Sequence, residues 1–249
     1  MRNVTEVASV PQFLAAIDAV HAGLPGQAWW RGQSCAVWDL VPKVFRDDQR
    51  GRRYETNIAL KFVQKAQTRH PRCPDPSNRY EWLFLMQHFG LPTRLLDWSE
   101  SPLIAGYFAV DDAAHQDEDG AVWALDAFKM GEVLSDKRGL SDPRHPRVRT
   151  LIDKVFEGGD SNDDYAVAIV SAEVDPRMMA QQAAVMVHGS PKPLNDYVEM
   201  APLLCKIVIK SKAKADLQSW LARIGIRERS VFPDLVHLAA DLASDRYAP

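Results

Sequence analysis

The chain has 249 residues, 46% hydrophobic and 25% charged, a globular composition that excludes collagen-like, coiled-coil and wholly disordered chains. Its 30 Lys and Arg stand against 33 Asp and Glu, a formal net charge of −3. That balance argues against a dedicated duplex-DNA binder, whose affinity rests on surplus positive charge. Three cysteines, Cys35, Cys73 and Cys205, are scattered, odd in number and in no C-x-x-C pair, so reduced thiols of a cytoplasmic protein are expected.

The first residues carry acids and a proline ahead of the apolar stretch, unlike a signal peptide, and no apolar run approaches the ~18 residues of a membrane span. Ser9 and Pro11 followed by Phe13, Leu14, Ile17 and Val20 predict a helix that ends at Gly23, Pro25 and Gly26. Residues 1–27 are thus a helix and loop. Ala28 to Gln33 reads as a strand ending at a glycine turn, and Leu40 to Phe45 as an extended stretch broken by Pro42. A long helix is expected around Tyr54, Ile58, Leu60, Phe62 and Val63. From Lys43 to Arg72, nine Lys or Arg accompany three acids, either a solvated helix face or a phosphate-facing surface.

Ser77 is positioned to cap a helix through Tyr80, Trp82, Leu85 and Phe89, with Gly90 as its stop. Pro92 to Ser99 reads as a polar loop. Ser101-Pro102 opens a helix through Phe108, Asp111 to Asp119 is a surface loop, and Gly120 to Asp126 is a strand. Residues 28–126 form the motif-bearing core. The polar stretch Phe128 to Asp164, within 127–165, is an insertion that serves as a lid or as a plain long connection. In 166–249, strands are expected at Ala166–Ser171, Ala183–His188 and Cys205–Lys210, and helices at Ala213–Ile224 and Asp234–Ala243. Without regular βαβ alternation, the fold class is α+β: one domain with a central, mostly antiparallel sheet flanked by helices. Trp29, Trp82, Trp98 and Trp123 sit in apolar patterns and are expected in the core.

No metal is expected, because the seven histidines show no H-x-x-x-H or H-E-x-x-H spacing. No G-x-S-x-G elbow and no G-x-x-x-x-G-K-[ST] loop is present, which excludes the common serine hydrolases and P-loop ATPases. One constellation stands out. Trp30-Arg31-Gly32-Gln33 sets a guanidinium fork, suited to phosphate or carboxylate, beside a glycine that admits a ligand or another backbone. The segment from Gln87 and His88 through Thr93, Arg94, Asp97 and Ser99 packs hydrogen-bonding groups between apolar anchors. Asp97 is either the structural partner of Arg31 or part of a ligand site. His88 is either a site residue or a structural histidine.

The Trp-Arg-Gly element, the block Gln87-His-Phe-Gly-Leu-Pro-Thr-Arg-Leu-Leu-Asp-Trp98 and the helix Ser101 to Ala109 together resemble the FRG domain family. Pro176-Arg177-Met-Met-Ala-Gln181-Gln182 and Val231-Phe-Pro-Asp-Leu235 look like later elements of that family. Trp30 stands where Phe or Tyr usually precedes the arginine, and Ala183-Ala184-Val185 lacks the Gly and Phe expected after the glutamine. The strand end also resembles the first half of the arginine-class ADP-ribosyltransferases, which implies NAD as substrate. By that resemblance Arg31 grips a phosphate of NAD and the Gly32 backbone meets the nicotinamide amide. Gln33, His88, Thr93, Arg94, Ser99 and Gln181 complete the pocket; Thr93, Asp97 or Ser99 supports the arginine and the ribose; and Glu228 supplies the late acid, with Glu199 and Glu173 as alternatives. The activity implied is ADP-ribosyl transfer or NAD cleavage, in a bacterial toxin or phage-defence effector whose acceptor is a protein or nucleic acid. Two other readings remain: a nucleotide- or nucleic-acid-binding module without chemistry, and a protein-interaction module.

Overall fold

The computed structural model describes residues 4–24, 26–46, 53–135, 139–158, 163–170 and 176–243. Seven strands and ten α-helices lie in the described residues, without regular alternation. Strand β1 (Val4–Val7) and helix α1 (Val10–Gly23) precede β2 (Ala28–Gln33), α2 (Tyr54–Ala66), α3 (Arg79–His88) and β3 (Leu95–Ser99). Then come α4 (Pro102–Val110), β4 (Gly120–Asp126), α5 (Ala127–Ser135), α6 (Pro146–Glu157), β5 (Ala166–Ile169) and α7 (Pro176–Ala180). The chain closes with β6 (Ala183–His188), β7 (Leu204–Ile209), α8 (Ser211–Arg223), α9 (Glu228–Val231) and α10 (Leu235–Ala243).

Local chemistry sets several of these boundaries. The Ser9 hydroxyl accepts from the Gln12 amide, and the Ser101 hydroxyl from the Ile104 amide, each beside a proline in the first turn. Helix α3 is capped by Asn78 rather than Ser77, whose amide and hydroxyl both donate to Asp75. Gly90 and Gly225 end α3 and α8 with φ of +77° and +94°, the left-handed turn that glycine adopts without strain.

All seven strands form one sheet in the order β1-β7-β4-β2-β3-β6-β5, antiparallel throughout except for the β1–β7 pair. The fold is therefore the expected α+β domain with helices on the sheet. Strand β2 matches β4 over six residue pairs, from Ala28↔Asp126 to Gln33↔Ala121. Its other neighbour, β3, is matched at one pair, Trp30↔Ser99. The sheet parts there.

The core follows this partition. On one face, Trp30, Val122, Ala124 and Ile207 of the β2 half pack under α1, α4 and α8. On the same face, Leu95, Val167, Val185 and Val187 of the β3 half pack under α2, α3 and α6. The opposite face spans both halves, with Trp29 and Trp123 from one meeting Leu96, Trp98 and Met186 from the other. Trp29, Trp82, Trp98 and Trp123 are all buried, so these tryptophans are core residues.

Four further sequence expectations change. Pro92–Ser99 is no loop along its length, because Leu95–Ser99 is the inner strand β3, next to the central β2. Its Asp97 and Ser99 masked a run whose Leu95, Leu96 and Trp98 are buried. Leu40–Phe45 closes in a 3-10 turn at Lys43–Phe45. The segment read as a lid or a plain long connection carries α5 and α6, and Val148, Leu151, Ile152 and Val155 lock α6 into the core at helical spacing. Val4–Val7, given no element from sequence, is an edge strand.

Helix α10 is unusual. Leu235, Val236 and Leu242 are exposed, while Asp241 is buried and pairs with Arg229 at 3.0 Å.

Candidate active site

The parting of β2 and β3 opens a cleft on the face divided between the two helical layers. Its inner hollow, about 200 Å³, is lined by Arg31 and Gly32 of β2, Asp97 and Ser99 of β3, Ala105 and Phe108 of α4, and Arg177 and Gln181. A small recess of about 50 Å³ adjoins it, adding Gln87 and His88 of α3 and Ala183 and Val185 of β6. An outer hollow of about 760 Å³ shares His88 and Arg177 with that recess and extends past His70, Arg72, Glu81 and Asp234. The inner space alone is below the ~300–1,000 Å³ of small-molecule sites, whereas the outer one lies within it.

Asp97 is the centre of the floor. Although mid-strand, it is exposed, because the neighbouring strand has moved away and its carboxylate looks into the cleft. Protein still crowds its other sides. That loss of water pushes the carboxyl above its ordinary range, opposed by Arg31, the Gln87 hydrogen bond, Arg177 and Arg46.

Arg31 is half-buried, and its Nη1 donates to the backbone carbonyl of Asp97 rather than to the carboxylate. Its Nε has no hydrogen-bond partner among the described residues. Desolvation lowers its pKa to about 10, only partly offset by Asp97, so it stays cationic at neutral pH. Arg31 is thus not sealed by an Asp97 salt bridge: it lines the inner hollow, with its Nε buried and unpaired among the described residues.

Arg177 stands where the three hollows meet. Its guanidinium lies 4.7 Å above the Phe232 ring and donates to the His88 carbonyl at 3.4 Å. Phe232 in turn stacks on His237 at 4.5 Å and meets Phe108 edge-on at 5.9 Å. The later motif elements around Arg177 and Phe232 thus close the cleft from above. Arg177 and Gln87 were absent from the residues assigned to the site by sequence. The signal for Gln87 was present, since it opens the same polar block as Asp97.

Other expected site residues lie elsewhere or are already engaged. Gln33 is buried, its amide nitrogen donating to the Asp39 carbonyl and its oxygen accepting from the Trp123 indole. Arg94 is 2% exposed and grips Glu55 of α2 with Nε at 3.1 Å and Nη2 at 2.5 Å, so it is a core ion pair and not a wall of the cleft. Glu55→Ala is expected to cost ~3–5 kcal/mol by stranding that buried guanidinium, measured by urea denaturation. Thr93 is buried beneath Gln87. Ser99 lines the inner hollow, but its hydroxyl donates to the Gln181 carbonyl and accepts from the Ser101 amide. Gln181 lines both inner spaces and donates to the Val231 carbonyl.

The expected late acid is not brought to Arg31. Glu228 opens α9 and lines none of these hollows. Glu199 belongs to a short turn anchored by Met200 in the core of the opposite face. Glu173 lies outside the described residues. Among the described residues, Asp97 is the carboxylate lining the inner hollow. No group of three His, Cys, Asp or Glu able to hold a metal occurs among them either.

His188, at the end of β6, is 1% exposed, and burial, Arg31 and Arg94 push its pKa down to about 3. The folded imidazole stays neutral, while the unfolded one takes a proton near pH 6.5. Stability should therefore fall as pH drops from 6.5 toward 3, by at most ~1.4 kcal/mol per unit from this residue. Urea midpoints for the parent and His188→Gln between pH 7 and 5 should show the flatter dependence in the variant.

The fold and cleft define an α+β protein whose parted sheet opens an inner hollow lined by Arg31, Arg177 and Asp97, leading to an outer hollow of ligand size that also holds Glu81 and Asp234. Residues 26–118 match the family model for the FRG domain, and this segment, from the entry to β2 through the loop after α4, is an FRG domain. No curated protein and no solved structure matches the chain.

Proposed function

We propose that the cleft binds NAD and breaks its nicotinamide–ribose bond, passing ADP-ribose to water or to a macromolecular acceptor. The observation that carries this reading is a solvent-reachable carboxylate, Asp97, between two guanidiniums, Arg31 and Arg177, where the sheet opens. The arginines suit a diphosphate, which carries two negative charges into the cleft mouth. The C–N bond breaks with its electron pair leaving on nicotinamide. Asp97 stabilises the cationic ribose, and the incoming nucleophile bonds to the same carbon and loses its proton. In this reading Asp97 takes the role the resemblance gave to a late glutamate. The proposed setting is a cytoplasmic effector of bacterial defence. Among the described residues, no helix is long and apolar enough to cross a membrane.

The test is incubation of the purified chain with NAD and cell lysate, with detection of free nicotinamide and of labelled macromolecules. Nicotinamide release supports the reading; NAD left intact with lysate present overturns it. A second reading, nucleotide binding without chemistry, is favoured by Gln181, an amide where a second acid would help. It predicts salt-sensitive nucleotide binding and no product.

A further inference from the structure

We propose that Gln87 is a positioning residue that holds the Asp97 carboxylate in one orientation, and that the Thr93 hydroxyl sets which way the Gln87 amide faces. This concerns the cleft before any ligand arrives and does not depend on NAD being the substrate. The inference stands on a chain of donors and acceptors. The Leu95 amide donates to Thr93 Oγ1 at 3.2 Å. The hydroxyl proton is then directed to Gln87 Oε1. With its oxygen committed to Thr93, the Gln87 amide presents Nε2 to Asp97 Oδ2 at 2.6 Å. Thr93 is 1% exposed, so water does not compete for its hydroxyl.

The charges facing Asp97 come from every side: Arg31 on β2, Arg177 on α7 and Arg46 beyond the Lys43–Phe45 turn, with His88 of α3 lining the same recess. Arg31 bonds the Asp97 carbonyl, and among the described residues Gln87 is the hydrogen-bond donor to the carboxylate itself. The arginines attract the anion; Gln87 fixes its direction. A hydrogen bond to a carboxylate favours the ionised form, so removing the donor should raise the pH at which Asp97 titrates. The motif thereby gains a physical account. Its glutamine at the end of a helix, threonine before a strand and aspartate within it fold back into one relay.

The test is titration of the full chain labelled with 13C-aspartate, following the signal that Asp97→Asn removes. In Gln87→Leu the Asp97 midpoint should rise by about one pH unit, the equivalent of one charge-assisted hydrogen bond. Thr93→Val, nearly isosteric, should raise it less, and Thr93→Ser should restore it. Unchanged midpoints in both Gln87→Leu and Thr93→Val overturn the proposal, as do equal shifts of the other aspartates. Should Gln87→Leu fail to fold, the Thr93 pair carries the test. The titration needs no nucleotide, so a normal relay in a chain inert toward NAD would overturn the NAD reading alone.

Discussion

Asp97→Asn is expected to lower nicotinamide release from NAD by a factor on the order of 10²–10⁴ while leaving the fold intact. The change is isosteric at a side chain that faces the cleft and not the core, so circular dichroism and the urea midpoint should hardly move. What it removes is the negative charge opposite Arg31. Arg31→Ala should abolish release, because the guanidinium facing Asp97 is lost from the same hollow. The parent's pH profile gives an independent reading. Burial holds the Asp97 carboxyl above its ordinary range, and the ionised form is the useful one. Activity should therefore rise with pH through that elevated midpoint and fall away on its acid side. Product analysis by chromatography checks all three results. Undiminished release by Asp97→Asn would remove the carboxylate from the mechanism.

Gly32→Ala should be among the most destabilising single changes in the chain. A Cβ at this position would lie 1.9 Å from the Ala105 carbonyl oxygen and 2.8 Å from the Ala109 nitrogen. Both are backbone atoms of α4, so no rotamer change relieves the clash and the helix must lift from the sheet. The expected loss is about 3 kcal/mol or more, at or beyond the top of the usual overpacking range. Gly106→Ala is the control, since its Cβ would meet the ring of Phe13 at 3.1 Å, a side chain that can yield. Denaturant midpoints of the two variants check the difference. A mild Gly32→Ala would mean that α4 is held less tightly than its contact with β2 implies.

That glycine illustrates what the sequence could and could not tell. Trp-Arg-Gly on a strand announces a close approach, and both a ligand and a second backbone satisfy it. Only the placement of α4 selects the backbone. Strands β2, β4 and β6 were legible to their end residues because their apolar runs end in glycine or polar residues. β3 was not, because a carboxylate in mid-strand makes Leu-Leu-Asp-Trp-Ser read as a loop, and the reason for that carboxylate is the parting of its neighbour. Arg94 looked like Arg31 in sequence. What separates them is Glu55, 39 residues away, which takes one guanidinium into the core and leaves the other at the cleft. Helix α6 was hidden among its own arginines, since a stripe of four apolar residues on a strongly charged helix has a low mean hydropathy. The late acid failed for a different reason. A spacing inherited from a resemblance does not say which residue the C-terminal segment delivers, and here α7 and its following turn deliver Arg177 and Gln181.

Two half-sheets joined by a single rung, with separate cores on one side and a common tryptophan layer on the other, are built like the covers and spine of a book. Widening the gap at Asp97 would leave the β2–β4 and β3–β6 ladders intact, but it would have to release the Arg31 bond to the Asp97 carbonyl. Arg177, reaching from one cover toward the rings of the other, is the clasp.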